Sequence, residues 1–417
     1  MYIHRWAEKE VRDALSWVRI VMISGPRQCG KTTLMNHHLT ESDVLLRLDE
    51  TAIEQDAMDA PQTFLRRYEQ YQTIAIDGIQ KAPPLLGEMK AFVDEEQRNG
   101  RFLISGSANY RSLPSTQESL AGRLAEIRLR TFAEGELQGK KPRFIERLLN
   151  EDFKETISSK DCNKDLVLEK ALLGGYPMVQ SLSPKGRAFW FNAYLQNLMQ
   201  RDLADVKRFS KPDTMLMILR YLAATSGKTV NVATLSSALN VSRYQIEEYL
   251  RALKILYLVD EVPAWTRFDT DRIGKSSKWF ISDSGLAASV LGYLSRDKLF
   301  RSDSAVDGDV VGTLVETWVY MQLASQLGSM SEWKIFHFRT RNNQEIDFLL
   351  ENTSGDLIGL EVKAGESIDA SSFRHLDWFR NNIAKERNFK SFVLYSGCLV
   401  RQFGKNNTAL PMAYLWL

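Results

Sequence analysis

Apolar positions in the first third of the chain fall in short unbroken runs separated by longer mixed stretches. Four runs stand out: Arg19–Ser24, Val44–Leu48, Thr73–Asp77 and Arg101–Ser105. Runs of this length without polar alternation fit strands of a parallel sheet covered on both faces by helices. Their alternation with longer segments predicts an α/β domain over 1–137. Between Gln138 and Asp165 the chain turns highly charged and loses apolar periodicity, which marks a linker over 138–165. Residues 166–275 read as mainly helical. Two amphipathic segments there, Val232–Leu239 and Ser242–Leu253, are separated by Asn240-Val241, and Ser242 with Gln245 makes a capping box that starts the second. Tyr257–Pro263 alternates like a short β-wing. Strand patterns return after Gly312, so a further α/β unit over 276–417 closes the chain.

The first run leads into Gly25-Pro26-Arg27-Gln28-Cys29-Gly30-Lys31-Thr32-Thr33, a G-x-x-x-x-G-K-[ST] pattern followed by a helical stretch from Thr32 to Leu39. The physics of phosphate binding asks for that context. Glycines let backbone N–H groups turn inward on phosphates, and the helix N-terminus adds positive potential. Lys31 can reach the β- and γ-phosphates, and the Thr32 hydroxyl can ligate Mg2+. Thr73-Ile74-Ala75-Ile76-Asp77 supplies the expected partner, an acid ending an apolar strand and able to hold the magnesium. ATP with Mg2+ is therefore the expected cofactor pair, with ADP as the product state.

Composition changes this picture little. Apolar content of 44% and charged content of 25% are ordinary for a globular chain, and a net charge of +2 makes no global electrostatic case for nucleic acid. The first residues lack the apolar stretch of a signal peptide, and no run is long enough to cross a bilayer. Cys29, Cys162 and Cys398 are too far apart to form a zinc site by spacing and too few for a disulfide framework. A reduced, cytoplasmic protein with no membrane partner is expected.

Taken with Gly25–Leu34, the stretches Ile76–Pro83, Leu103–Ser107 and Ser119–Arg123 resemble a family of bacterial and archaeal AAA+-like ATPases joined to an uncharacterised C-terminal domain. The resemblance implies a polar sensor near the γ-phosphate at Ser107, with Asn109 as a second candidate. It also implies that Arg123, of a glycine–arginine pair, stabilises phosphate charge within its own chain or in a neighbour of a homo-oligomer. The family has glutamate directly after the Walker B aspartate, where this chain has Gly78. Glycine cannot orient a water, so either Glu50 or Glu88 substitutes or hydrolysis is slow. The resemblance extends over the middle region, which looks like a winged helix. Its second helix carries Arg243, Arg251 and Lys254 but also Glu247 and Glu248, so a DNA-reading role competes with packing against protein. Gly174-Gly175-Tyr176-Pro177 and Lys278–Leu286 recur in the family and read as structural, with Asp283 as a helix N-cap.

Near the C-terminus, Gln344–Leu350 and Leu357–Lys363 read as two strands joined by a hairpin containing Gly355. Alternation puts Glu361 and Lys363 on one side. Asp347 beside them could hold a divalent metal together with Glu361, while Lys363 stabilises a hydroxide or phosphate charge. These residues resemble the D…E-x-K signature of the PD-(D/E)XK nuclease superfamily, which commonly adds a glutamate from a preceding helix, here Glu316. His337, Arg339 and Arg341 precede Asp347 and could meet phosphates.

The expected fold class is thus α/β: a P-loop NTPase parallel sheet, a helical and winged-helix middle, and a PD-(D/E)XK-like α/β domain. The functional expectation is an ATP-binding AAA+-like ATPase coupled to a nuclease-like domain acting on DNA or RNA, with a second divalent metal there. The alternative is a non-catalytic ATP-dependent switch or adaptor, with slow or absent hydrolysis, that binds a protein or nucleic acid.

Overall fold

The computed structural model describes residues 2–106, 120–153, 157–202, 212–272, 274–299, 308–328 and 330–417. The chain divides into two units, residues 1–131 with 254–258, and residues 132–253 with 259–417.

In the first unit five parallel strands, β1 (Ile20–Ser24), β2 (Val44–Arg47), β3 (Ile74–Asp77), β4 (Phe102–Gly106) and β5 (Leu124–Arg128), lie in the order β2-β3-β4-β1-β5. Every residue of β1 and β4 is buried, which is why these runs show no polar alternation. Successive side chains enter opposite layers. Ile20, Met22, Ile74, Ile76 and Ile104 pack with Leu85 and Met89, whereas Val21, Ile23, Ala75 and Leu103 pack with Val11, Leu34 and Met35. The last three belong to α1 (Ala7–Trp17) and α2 (Lys31–His38). Parallel order brings the C-terminal ends of β1, β3 and β4 to one edge, where loops gather functional side chains.

The second unit contains a small antiparallel sheet of β6 (Lys228–Thr229), β7 (Val259–Val262) and β8 (Lys278–Ile281), ordered β6-β8-β7. The helices Val232–Leu239 and Arg243–Ile255 lie between β6 and β7 along the chain, the element order expected of a winged helix-turn-helix. The capping box forms: Ser242 N–H donates to Gln245 Oε1 (3.0 Å) and Gln245 N–H to Ser242 Oγ (3.2 Å). Asp283 caps the helix Ser284–Leu291 by accepting from Leu286 N–H (3.0 Å), and its other oxygen accepts from Gly175 N–H (2.8 Å). That pair accounts for two sequence motifs lying far apart in the chain.

The same unit holds a mixed six-stranded sheet ordered β13-β14-β12-β11-β10-β9, built from β9 (Trp333–Arg339), β10 (Glu345–Asn352), β11 (Leu357–Lys363), β12 (Phe389–Tyr395), β13 (Arg401–Phe403) and β14 (Asn407–Pro411). β9, β10 and β11 are antiparallel, while β11, β12 and β14 run parallel. The pairing of β10 with β9 slips between Ile346 and Leu349, an irregularity of the ladder at Asp347 and Phe348. Phe280 of β8 stacks on Tyr320 of the helix Gly308–Gly328 (4.4 Å between centroids) and lies 5.6 Å from Phe348. This aromatic group joins β8, the helix and β10, and so brings together polar residues from all three. No helix among the described residues is long and apolar enough to cross a membrane.

Candidate functional site

In the first unit β1 runs directly into the loop Gly25–Gly30 and on into α2. A side chain at Gly25 would place its Cβ 2.1 Å from the Leu129 carbonyl oxygen, so only glycine fits. Lys31 is buried, and its ammonium donates to the carbonyls of Gly25 (2.9 Å) and Pro26 (2.8 Å), closing the loop on itself. Thr32 Oγ1 donates to Asp77 Oδ2 (2.6 Å). The hydroxyl of Ser105, near the end of β4, donates to the other Asp77 oxygen and accepts from Gly78 N–H (3.2 Å). The loop is also held from outside: buried Arg5 donates to the carbonyls of Cys29 (3.0 Å) and Arg130 (2.7 Å). Thr32 and Asp77 present adjacent hard oxygen groups beside a helix N-terminus, a donor set that fits Mg2+.

In the second unit the β10–β11 pairing puts Asp347 one step beyond the Phe348–Leu360 pair and therefore opposite Glu361. Val362 N–H donates to Asp347 Oδ2 (2.9 Å), and Lys363 Nζ lies 3.5 Å from Glu361 Oε2. Glu316 approaches from its helix. At the centre is Lys278 of β8, its side chain only 2% exposed. Its ammonium is 2.9 Å from Glu345 Oε1, 3.3 Å from Glu316 Oε1 and 3.5 Å from Asp347 Oδ1. Burial alone would favour the neutral amine, but the charges of Glu316, Asp347 and Glu345 outweigh it and raise the pKa above the ordinary lysine value. A buried cation therefore sits among Glu316, Glu345 and Asp347.

The expected second metal would compete with this cation for Asp347. Both Asp347 oxygens are engaged, by Lys278 and by Val362 N–H. No three of these acids bring ligand atoms within 4.8 Å of one another, a spacing met among the described residues only at a different group. Glu361 Oε1 is buried without a hydrogen-bond partner. Burial, and then the charge of Asp347, push the Glu361 carboxyl well above the usual range against the pull of Lys363 and Lys278. His337 does not meet phosphates as expected: it is 1% exposed, with Nε2 against the Ser276 carbonyl (3.0 Å). Burial first, then the Lys278 charge, push its imidazole down to about 4.

Comparison with known proteins agrees with the first of these sites. Residues 18–138 match a family described as an AAA domain. The first unit carries an ATP-binding AAA-type ATPase domain. Residues 164–297 and 311–415 match two families described as domains of unknown function, DUF8612 and DUF4143. Uncharacterised proteins of Mycobacterium bovis and Mycobacterium tuberculosis are each 28% identical over 361 residues, covering 86% of this chain and 73% of theirs. Among solved structures, AMPPCP-bound DnaA from Aquifex aeolicus is 11% identical with a TM-score of 0.26, over 60% of this chain and 86% of that one. A STAND-class signal-transduction ATPase with a tetratricopeptide repeat sensor from Pyrococcus horikoshii is 11% identical with a TM-score of 0.28, over 79% and 52%. Likenesses this remote bear on neither mechanism nor partners.

Within the AAA domain, Gly25, Pro26, Arg27, Gln28, Cys29, Gly30, Lys31, Thr32 and Thr33 form one continuous loop and helix start, with Asp77 beside Thr32. Arg123 does not join them. β1 and β5 are parallel with Ser24 beside Arg128, so Arg123 stands at the opposite edge of the sheet, about 16 Å of strand away. There it grips Asp94 through Nε (2.6 Å) and Nη2 (2.8 Å). An own-chain role on phosphate is thereby corrected. Ser107 and Asn109 lie outside the described residues. Gly78 has φ +87°, in the left-handed region that favours glycine, so its identity follows from the turn after β3. Glu88 lines a small cleft with Gln62, Leu65 and Arg66, and Glu50 sits at the N-cap position of the helix Thr51–Asp59 without a side-chain capping hydrogen bond.

Sequence reasoning overlooked Arg5, Ser105, Lys278 and Glu345. Glu345 was within reach, two residues before Asp347 on one strand. Lys278 left a weaker signal, a charge opening the apolar run Trp279-Phe280-Ile281.

Proposed function

We propose that this chain is an ATP-controlled switch whose nuclease-like domain engages a nucleic-acid or protein partner without cutting it. The observation that carries this reading is the buried Lys278 ammonium among Glu316, Glu345 and Asp347, where it takes up one oxygen of the aspartate a catalytic metal would need. The AAA domain binds ATP through the loop at 25–32, with Lys31 on the phosphates and with Thr32 and Asp77 holding Mg2+. Magnesium held by Thr32 and Asp77 would supply charge neutralisation on the phosphates. Gly78 offers no group to orient a water, which favours slow turnover and a nucleotide state that persists. Lys363 is 43% exposed, and Arg339 and Arg341 are exposed nearby, so a cationic rim remains for a phosphate-bearing partner.

A second reading, a metal-dependent nuclease, keeps support from the facing pair Asp347 and Glu361 with Lys363 beside them. One experiment separates the two. The full chain, with ATP and either Mg2+ or Mn2+, is incubated with single- and double-stranded DNA and RNA, while ATP affinity is measured for wild type and Lys31→Ala. The switch reading expects no cleavage, and ATP binding that Lys31→Ala abolishes. Cleavage lost in Asp347→Asn and in Lys363→Ala would overturn it in favour of the nuclease.

A further inference from the structure

We propose that His4, Glu8 and His37 form a binding site for a divalent transition metal of the zinc type, clamping the N-terminal segment to the end of the P-loop helix. Their ligand atoms all lie within 4.8 Å of one another, which no other trio of metal-binding side chains achieves among the described residues. His4 Nδ1 is 3.1 Å from Glu8 Oε2, and His37 Nε2 is 3.9 Å from the same oxygen. Bonds of about 2.0–2.1 Å to a tetrahedral zinc ion put neighbouring ligand atoms about 3.3 Å apart. The two observed distances straddle that value, so modest side-chain adjustments bring these ligands to the ion.

Hydrogen bonding accounts for only part of this arrangement. His4 can share a proton with Glu8, but 3.9 Å is too long for His37 to do so. Both imidazoles nonetheless converge on one carboxylate oxygen, a geometry that a shared cation satisfies. The carboxylate is also held in place, as supporting groups do at metal sites. Its second oxygen accepts from the Tyr2 hydroxyl (2.7 Å) and from Arg5 N–H (2.7 Å). The Tyr2 ring in turn stacks on His37, 4.1 Å between centroids and 22° between planes.

The donor set selects the metal. Two imidazole nitrogens and one carboxylate suit Zn2+, Co2+ or Ni2+ and disfavour Mg2+ and Ca2+, which take oxygen ligands. Three protein ligands leave a fourth position for water. The His4 side chain is 73% exposed and that of His37 41%, so the ion has an open approach.

The position of the site gives it a consequence. Glu8 belongs to α1, and His37 lies in the last turn of α2, the helix that begins at Lys31. Between His4 and Glu8 sits Arg5, which holds the Cys29 carbonyl of the phosphate loop. A bound ion would secure that arginine and the far end of the loop's helix at once. The role is structural, and it stands independently of whether the chain cuts nucleic acid.

The test uses untagged full chain, since a polyhistidine tag would itself take the ion, stripped with chelator and then titrated with ZnCl2 against a chromophoric chelator. One Zn2+ per chain is expected, with affinity falling tenfold or more in His4→Ala and in His37→Ala. Zinc should raise the thermal midpoint of wild type and leave both variants unmoved, while millimolar Mg2+ should displace nothing. Both variants remove largely exposed side chains, and unchanged circular dichroism verifies their folding. A stoichiometry and affinity equal to wild type in both variants would overturn the proposal, as would no zinc uptake by wild type at about 0.1 mM.

Discussion

Lys278→Met tests the central reading most directly, because it removes the ammonium while keeping most of the side-chain volume. Three carboxylates then face one another without their cation. Removing one member of a buried ion pair costs about 3–5 kcal/mol, since the partners stay desolvated and unpaired. Glu316, Glu345 and Asp347 are 19%, 33% and 17% exposed, so each retains some water and the expected loss sits at the low end, about 3 kcal/mol. For a unit of this size that corresponds to a fall in midpoint of about 6–12 °C. The sign with pH follows from the same charges. Without the lysine, the carboxyls hold protons more strongly when folded than when unfolded. The variant's deficit therefore widens as pH rises above the ordinary carboxylate range and narrows in acid. Urea denaturation at pH 5 and pH 8 measures both effects. Lys278→Ala, which opens space at the same point, should regain stability with millimolar Mn2+, whereas wild type should gain nothing in its second unit. A loss under about 1 kcal/mol, set against the cost of breaking a buried pair, would refute the argument. So would Mn2+ stabilising wild type as much as the alanine variant, since the ammonium would not then occupy the place of a cation.

Two further outcomes follow from particular residues. Gly78→Ala should lower the stability of the AAA domain by about 1–2 kcal/mol, because φ +87° is unfavourable for any residue with a Cβ. ATP affinity should be kept, and a variant as stable as wild type in urea would mean that residue 78 does not hold a left-handed backbone. His337 carries the acid limb. Its folded pKa of about 4 lies below its ordinary value, so as pH falls from about 6.5 to about 4 the unfolded chain takes up a proton that the folded one refuses. Up to about 3 kcal/mol is lost over that window. His337→Gln should show a shallower decline in denaturation midpoint, and an equal slope would exclude His337 as the source.

The sequence by itself determined whatever is encoded within one element or between close neighbours along the chain. The loop at 25–32 was legible because phosphate binding needs glycines, lysine and threonine at set spacings between a strand and a helix. Asp77 was legible as an acid ending an apolar run, the capping box of Ser242 and Gln245 as a three-residue relation, and the facing of Asp347 and Glu361 as a consequence of a short hairpin. Strand alternation and capping are local physics, so they survive without knowledge of the fold.

Tertiary structure alone decided which distant groups share a space. Arg123 and Arg128 are only five residues apart, yet the direction of β5 between them puts Arg128 at the phosphate edge and Arg123 far from it. Ser105 meets Asp77 because β3 and β4 are neighbours in register. Lys278 reads as the polar start of a buried strand until β8, the helix Gly308–Gly328 and β10 come together through Phe280, Tyr320 and Phe348. Only then does its ammonium face acids 38, 67 and 69 residues away, counted from Lys278 to Glu316, Glu345 and Asp347. Whether an acidic cluster awaits a metal or already holds a cation depends on that meeting. The energy of a buried charge is set by what surrounds it in space, and no spacing along the chain records it.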